Sequence, residues 1–144
     1  MSQHESRSIT SSPSPILSST VETLTAAFAS ETKLIDDLTA VVLRQRDAIA
    51  NDDIQTVDDT VFTTHRLLLT LEEARTRRRT LYRLLGYNED ISMLTLEEAL
   101  GDRMTPALRK EREILQTAAE RLSNEIRINR EILQMTLEQG DSYI

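Results

Sequence analysis

The 144 residues include no cysteine and no tryptophan, and only three glycines, three prolines, three tyrosines and two phenylalanines. Without cysteine there are no disulfides, no thiolate metal sites and no cysteine nucleophile. So few turn-formers and aromatics exclude a turn-rich β domain and argue against a sheet core. No stretch approaches the roughly twenty consecutive apolar residues of a membrane span. The opening MSQHESRSITSSPSPILSS lacks the apolar run of a signal peptide. Positive charge is also in short supply, since 17 Lys and Arg stand against 24 Asp and Glu for a net charge of -7. A surface of that sign opposes both phosphate neutralisation and attachment to anionic lipid. The expected setting is therefore cytoplasmic, without membrane insertion and without nucleic acid as the main partner.

Leu, Ala, Glu, Arg and Thr dominate what remains, a mixture suited to long helices packed by aliphatic side chains. The expected fold is all-α: an elongated antiparallel three-helix bundle, or a coiled-coil-like hairpin plus a long C-terminal helix. A short helix is expected in the second connection. Residues 1–17, Ser-rich with Pro13 and Pro15, read as a disordered tail that cannot offset its own ordering entropy. Residues 18–140 read as one helical domain, with helices near 20–50, 53–85, 95–100 and 106–139, and 141–144 as a short tail.

Ser19-Thr20-Val21-Glu22 has the form of a capping box and sets the expected start of the first helix. A seven-residue seam follows through Val21, Leu24, Phe28, Glu31, Ile35, Leu38, Val42, Gln45 and Ile49, a spacing that strand alternation does not produce. Asn51-Asp52-Asp53 ends that helix and supplies the next N-cap, and so short a connection returns the second helix alongside the first. The second seam runs Ile54, Val57, Val61, Thr64, Leu68 and Leu71. Beyond Leu71 it continues as Ala74, Arg78, Leu81 and Leu85, with an arginine at a core position, which predicts weaker packing and a splayed end there. Gly86 suits the left-handed position just past a helix. Thr95-Leu96-Glu97-Glu98 has capping-box form, and Thr105-Pro106 opens the last helix with an N-cap and a first-turn proline.

Catalytic signatures are scarce. His4 and His65 are the two histidines, and Phe62 stands three residues before His65, so the Glu-x-x-His di-iron pattern fails. The glycines are isolated, so no phosphate-cradling loop exists. Glu72-Glu73 and Glu97-Glu98 are helix neighbours pointing about 100° apart, which is poor geometry for a cooperating acid–base pair. No enzyme activity, cofactor or metal is expected. The one basic cluster, Arg75, Arg77, Arg78, Arg79 and Arg83, reads either as a grip for an acidic partner or as solvated charge paired with Glu72 and Glu73.

The densest apolar stretch is NEIRINREILQMTLE, residues 124–138. At about 100° per residue, Leu122, Leu133 and Leu137 fall within roughly 40° of Ile126 and, with Leu115 and Ala119, form the expected bundle seam. Ile128, Ile132 and Met135 fall at roughly 180° to 240°, with Asn124 beside them. A helix apolar on two sides is sandwiched or binds something, unless the short helix near 95–100 covers the second side.

These parts together resemble the FlgN-type flagellar export chaperones. The resemblance covers residues 20–143: a hairpin broken at AIANDDIQ, the charged LLLTLEEARTRRRTL closing in LLG, a TLEEAL element, and a last helix carrying NEIRINREILQMTL. Asn124, Asn129, Ile132 and Leu133 stand where that family has its Asn-x-x-x-x-Asn-x-x-Leu-Leu-like pattern. The resemblance implies binding of C-terminal helical segments of hook-associated, filament-junction proteins, held unassembled before type III export, with export apparatus components as further partners. Asn124, Ile128, Asn129, Ile132 and Met135 are the expected partner-binding residues. Two alternatives stand beside it: a structural helical adaptor that homodimerises through the C-terminal helix, and a regulator that touches nucleic acid with its arginine cluster.

Overall fold

The computed structural model of the protein describes residues 15–142, which form four α-helices and no strand. They are α1 (Pro15–Ala50), α2 (Ile54–Leu84), α3 (Met93–Leu100) and α4 (Pro106–Ser142), with a 3-10 turn at Gly101–Arg103 between the last two. The all-α expectation holds. Most of the predicted tail, residues 1–14, lies outside the described residues, as do 143 and 144. Residues 15–17 belong to α1, and Leu17 packs against the core, so the helix begins a turn before the expected Ser19 cap.

α1 is the central element, with α2 packed along one side and α4 along another, while α2 and α4 hardly approach each other. Its sequence suits a helix with two neighbours. The seam residues Val21, Leu24, Phe28, Glu31, Ile35, Leu38 and Val42 are buried, and so are the smaller Ala27, Thr32, Thr39 and Ala48. Short side chains let backbones approach, and Thr39 returns its hydroxyl to the Ile35 carbonyl at 3.1 Å, so its own donor is paired.

Asp53 caps α2, its carboxylate accepting from the Thr56 hydroxyl at 2.6 Å and from the Thr56 amide at 3.1 Å, and these hydrogen bonds hold the Asp53 pKa below its usual value. The reversal needs one residue in the left-handed region, and Asp52 fills it with φ 53°. Gly86 takes φ 90° just past α2, as expected. Two other helix starts follow different rules. Thr105 caps α4 as expected, accepting from the Leu108 amide at 3.1 Å. Ser92, not Thr95, caps α3, because the Ser92 hydroxyl lies 3.1 Å from the Thr95 amide.

The core is concentrated at one end. Val21, Leu24 and Phe28 of α1, Leu81, Tyr82 and Leu85 of α2, Leu96 and Leu100 of α3, and Leu108 and Leu115 of α4 form one buried cluster. Each such aliphatic or aromatic side chain contributes about 1.5–3 kcal/mol relative to exposure. α3 closes this end, pinned by Glu97, which pairs with Arg109 at 2.6 Å and Arg112 at 2.7 Å.

The expected splaying beyond Leu71 is therefore reversed. The arginine at the seam position is neutralised where it stands: Arg78 Nε lies 3.4 Å from the carboxylate of buried Glu31, the other charged seam residue, and its guanidinium lies 5.9 Å from the Tyr82 ring centroid. It is the first half of α2 that opens, with Ile54, Val61, Phe62, Leu68 and Leu69 all exposed.

Candidate partner-binding trough

α4 runs parallel to α1. Thr32 and Asp36 share a depression with Ile114 and Thr117, and further along both helices Val42 meets Asn129. This register carries roughly the last six residues of α4, about 9 Å, past the turn that ends α1. Leu137 there is 70% exposed, and Met135 just before it 59%.

The face that α4 presents to α1 is centred on Asn129, about 60° round from the Ile126 centre that apolar counting suggests. Leu108, Leu115 and Ala118 are buried on it, whereas the expected seam residue Ala119 is exposed. Leu133 (39% exposed) and Leu137 do not join the bundle, which corrects their assignment. Ile128 and Ile132 are half-buried instead of fully outward, so the two opposed stripes are one broad apolar arc. Nor does α3 cover that arc, because it sits at the other end beside Arg109 and Arg112.

The five residues marked in the sequence are thus not brought together as one surface. Asn124 and Met135 are exposed, Ile128 and Ile132 half-buried, and Asn129 buried at 4% exposure. The Asn129 side-chain nitrogen donates to the Val42 carbonyl at 2.8 Å and to Gln45 Oε1 at 3.3 Å. Its oxygen accepts from Arg46 Nε at 2.8 Å. Arg46 also reaches the Glu125 carbonyl at 3.2 Å and the Glu125 carboxylate at 2.7 Å. Gln45 completes the layer by donating to Thr60 on α2 at 3.2 Å. One polar layer therefore ties three helices at the level where the apolar core runs out.

Sequence reasoning missed the trough that opens there. α1 forms its floor with Leu38, Val42 and Gln45; Val61, Thr64 and Leu68 line the α2 wall, and Leu122, Ile126, Asn129, Arg130 and Leu133 the α4 wall. Its volume is about 290 Å³, at the lower edge of the roughly 300–1,000 Å³ seen for enclosed small-molecule sites. Val61 and Leu68 are still 56% and 49% exposed. The signal available in sequence was that α1 alone carries two buried faces, so its neighbours need not meet.

No constellation for chemistry assembles among the described residues. No group of His, Asp and Glu there could hold a metal ion, and no helix is long and apolar enough to cross a membrane. The displaced titrations have structural causes. Burial raises the Glu31 pKa against the pull of Arg78 and Arg75, burial raises that of Tyr82, and the hydrogen bond from Arg109, with Arg112 behind it, lowers that of Glu97. The basic cluster is partly spent on Glu31, on Glu72 by Arg79 at 3.7 Å and on Glu89 by Arg83 at 3.7 Å.

A helical scaffold that leaves Val61, Leu68 and Leu133 exposed along one trough, with no constellation for chemistry beside it among the described residues, has the surface of a protein-binding class of molecule. The chain belongs to the FlgN family: the family model, described as FlgN protein, matches residues 20–142. Membership points to a role of the flagellar export-chaperone type and implies the binding of flagellar proteins in general. No curated protein and no solved structure matched it.

Proposed function

We propose that this chain is an export chaperone for hook-associated proteins, capturing their C-terminal helical segments in the cytoplasm before type III export. The observation that carries this reading is the open end of the bundle. There Val61, Leu68 and Leu133 stay exposed along the trough, and Met135 and Leu137 beyond it, whereas the opposite end of the bundle closes over a continuous buried cluster. An amphipathic helix laid on that end removes apolar surface from water on both molecules, at about 25 cal/mol per Å² before association costs. Covering the coiled-coil face of such a segment would keep it from assembling early.

Within this reading Ile128, Ile132 and Met135, with Asn124 beside them, lie round α4 from the trough wall at Ile126 and offer the partner a second, smaller contact. Asn129 acts indirectly by holding α4 against α1. Co-expression with hook-associated proteins, whole and lacking their C-terminal segments, tests it. Capture of the whole proteins and loss with the truncated ones is expected. The reading fails if no hook-associated protein is retained. A tight homodimer dispersed by Ile132→Asp, again without capture, would favour the adaptor instead.

A further inference from the structure

The walls of the trough carry more information than their greasiness. Leu38 and Gln45 on the floor, Val61 and Leu68 on one side, and Ile126 and Leu133 on the other are each seven residues apart. Seven residues of helix span about 10.5 Å, two turns, and this is the repeat into which a further helix packs its own knobs. The polar part of the floor is no obstacle to an apolar occupant. Gln45 and Asn129 already hydrogen-bond to each other and to Thr60, Val42 and Arg46, so covering them leaves these bonds intact.

The two rims differ in charge. Arg130 lies four residues after Ile126 and three before Leu133, so it edges the α4 wall. It is exposed and has no ion-pair partner among the described residues. On α2 helical spacing puts Asp58, three residues before Val61, on the outer side of the trough wall, likewise exposed and without an ion-pair partner among the described residues.

We infer that the trough takes a single amphipathic helix with aliphatic anchors seven residues apart and a carboxylate flank turned toward Arg130, its opposite flank neutral or basic beside Asp58. Arg130 and Asp58 thereby fix which way the bound helix is rotated, while the aliphatic walls supply the contact area. This rests on the proposed chaperone reading and adds a selection rule to it.

The test uses the full chain and two synthetic peptides spanning the C-terminal helical segment of a hook-associated protein that the wild type captures. One peptide is native. In the other, the acidic residues flanking the aliphatic seam are changed to lysine. The Arg130→Glu variant should bind the native peptide about tenfold more weakly, as loss and reversal of a rim charge pair implies. The lysine peptide should restore its affinity while binding the wild type poorly, and molar salt should shrink both differences. Equal binding of the native peptide by wild type and Arg130→Glu overturns the charge rule. If that equality comes with loss of binding in Leu68→Asp, the chaperone reading stands and only the rule falls. Failure of the wild type to bind any such segment overturns both.

Discussion

Arg46 Nε donates a 2.8 Å hydrogen bond to the side-chain oxygen of Asn129, joining the last turns of α1 to a position of α4 that is almost wholly buried. Below this contact α4 is held by the buried Leu108, Leu115 and Ala118; at it, the polar side chains of Glu125 and Asn129 do the holding. Asn129→Ala removes the group that satisfies Arg46 and the Val42 carbonyl, at a cost of about 1–3 kcal/mol. Hydrogen exchange should accelerate in α4 from about residue 122 onward and change little over its first turns. Uniform acceleration along the helix would contradict this division.

Glu31 and Arg78 interrupt two otherwise apolar seams and answer each other. The Glu31 side chain is 4% exposed and that of Arg78 21%. Truncating one partner strands a buried charge, so Arg78→Ala should cost about 3–5 kcal/mol in denaturant unfolding. Replacing both with leucine or methionine should recover most of that loss, because the pair's own desolvation cost disappears too. A double variant as unstable as the single would mean the site is not acting as a pair.

Two carboxylates should respond to pH with opposite sign. The Glu31 pKa is raised on folding, so its contribution is fully present below the ordinary carboxylate value and is lost as pH rises through the folded value. The Glu97 pKa is lowered, so its contribution is present above the ordinary value and is lost as pH falls. Stability of Glu31→Gln relative to wild type should therefore increase on going from acid to neutral pH. That of Glu97→Gln should decrease over the same range. Parallel pH profiles for the two variants would contradict both assignments.

Stability and capture should come apart along the molecule. Leu115→Ala lies in the closed core and should cost about 2–5 kcal/mol. Leu68→Ser lies on an open wall, and surface changes of that kind shift stability by about 0.5 kcal/mol or less. Binding of a hook-associated segment should nonetheless fall with Leu68→Ser and persist with Leu115→Ala at temperatures where that variant is folded.

Much of this architecture was legible in the sequence. The seam from Val21 to Val42 is the one the structure buries, and Asp53, Gly86 and Thr105 end or begin helices for the reasons their chemistry suggests. Two features were not legible. Asn129 sits at the centre of the buried α4 face, and a pattern read by apolar residues alone moves that centre to Ile126. Val61 and Leu68 occupy seam positions yet stay open, because burial of a seam depends on a third helix closing over it. In this chain α1 separates α2 from α4, and no single-helix periodicity carries that information.

The central claim is that the trough between α2 and α4 is the surface that takes the partner helix. Isothermal titration of a hook-associated C-terminal peptide into wild type and into the Leu68→Asp, Leu133→Asp double variant tests it directly. The wild type should bind, the double variant should bind at least tenfold more weakly, and thermal unfolding of the two proteins should be closely similar. Undiminished binding by the double variant would contradict it.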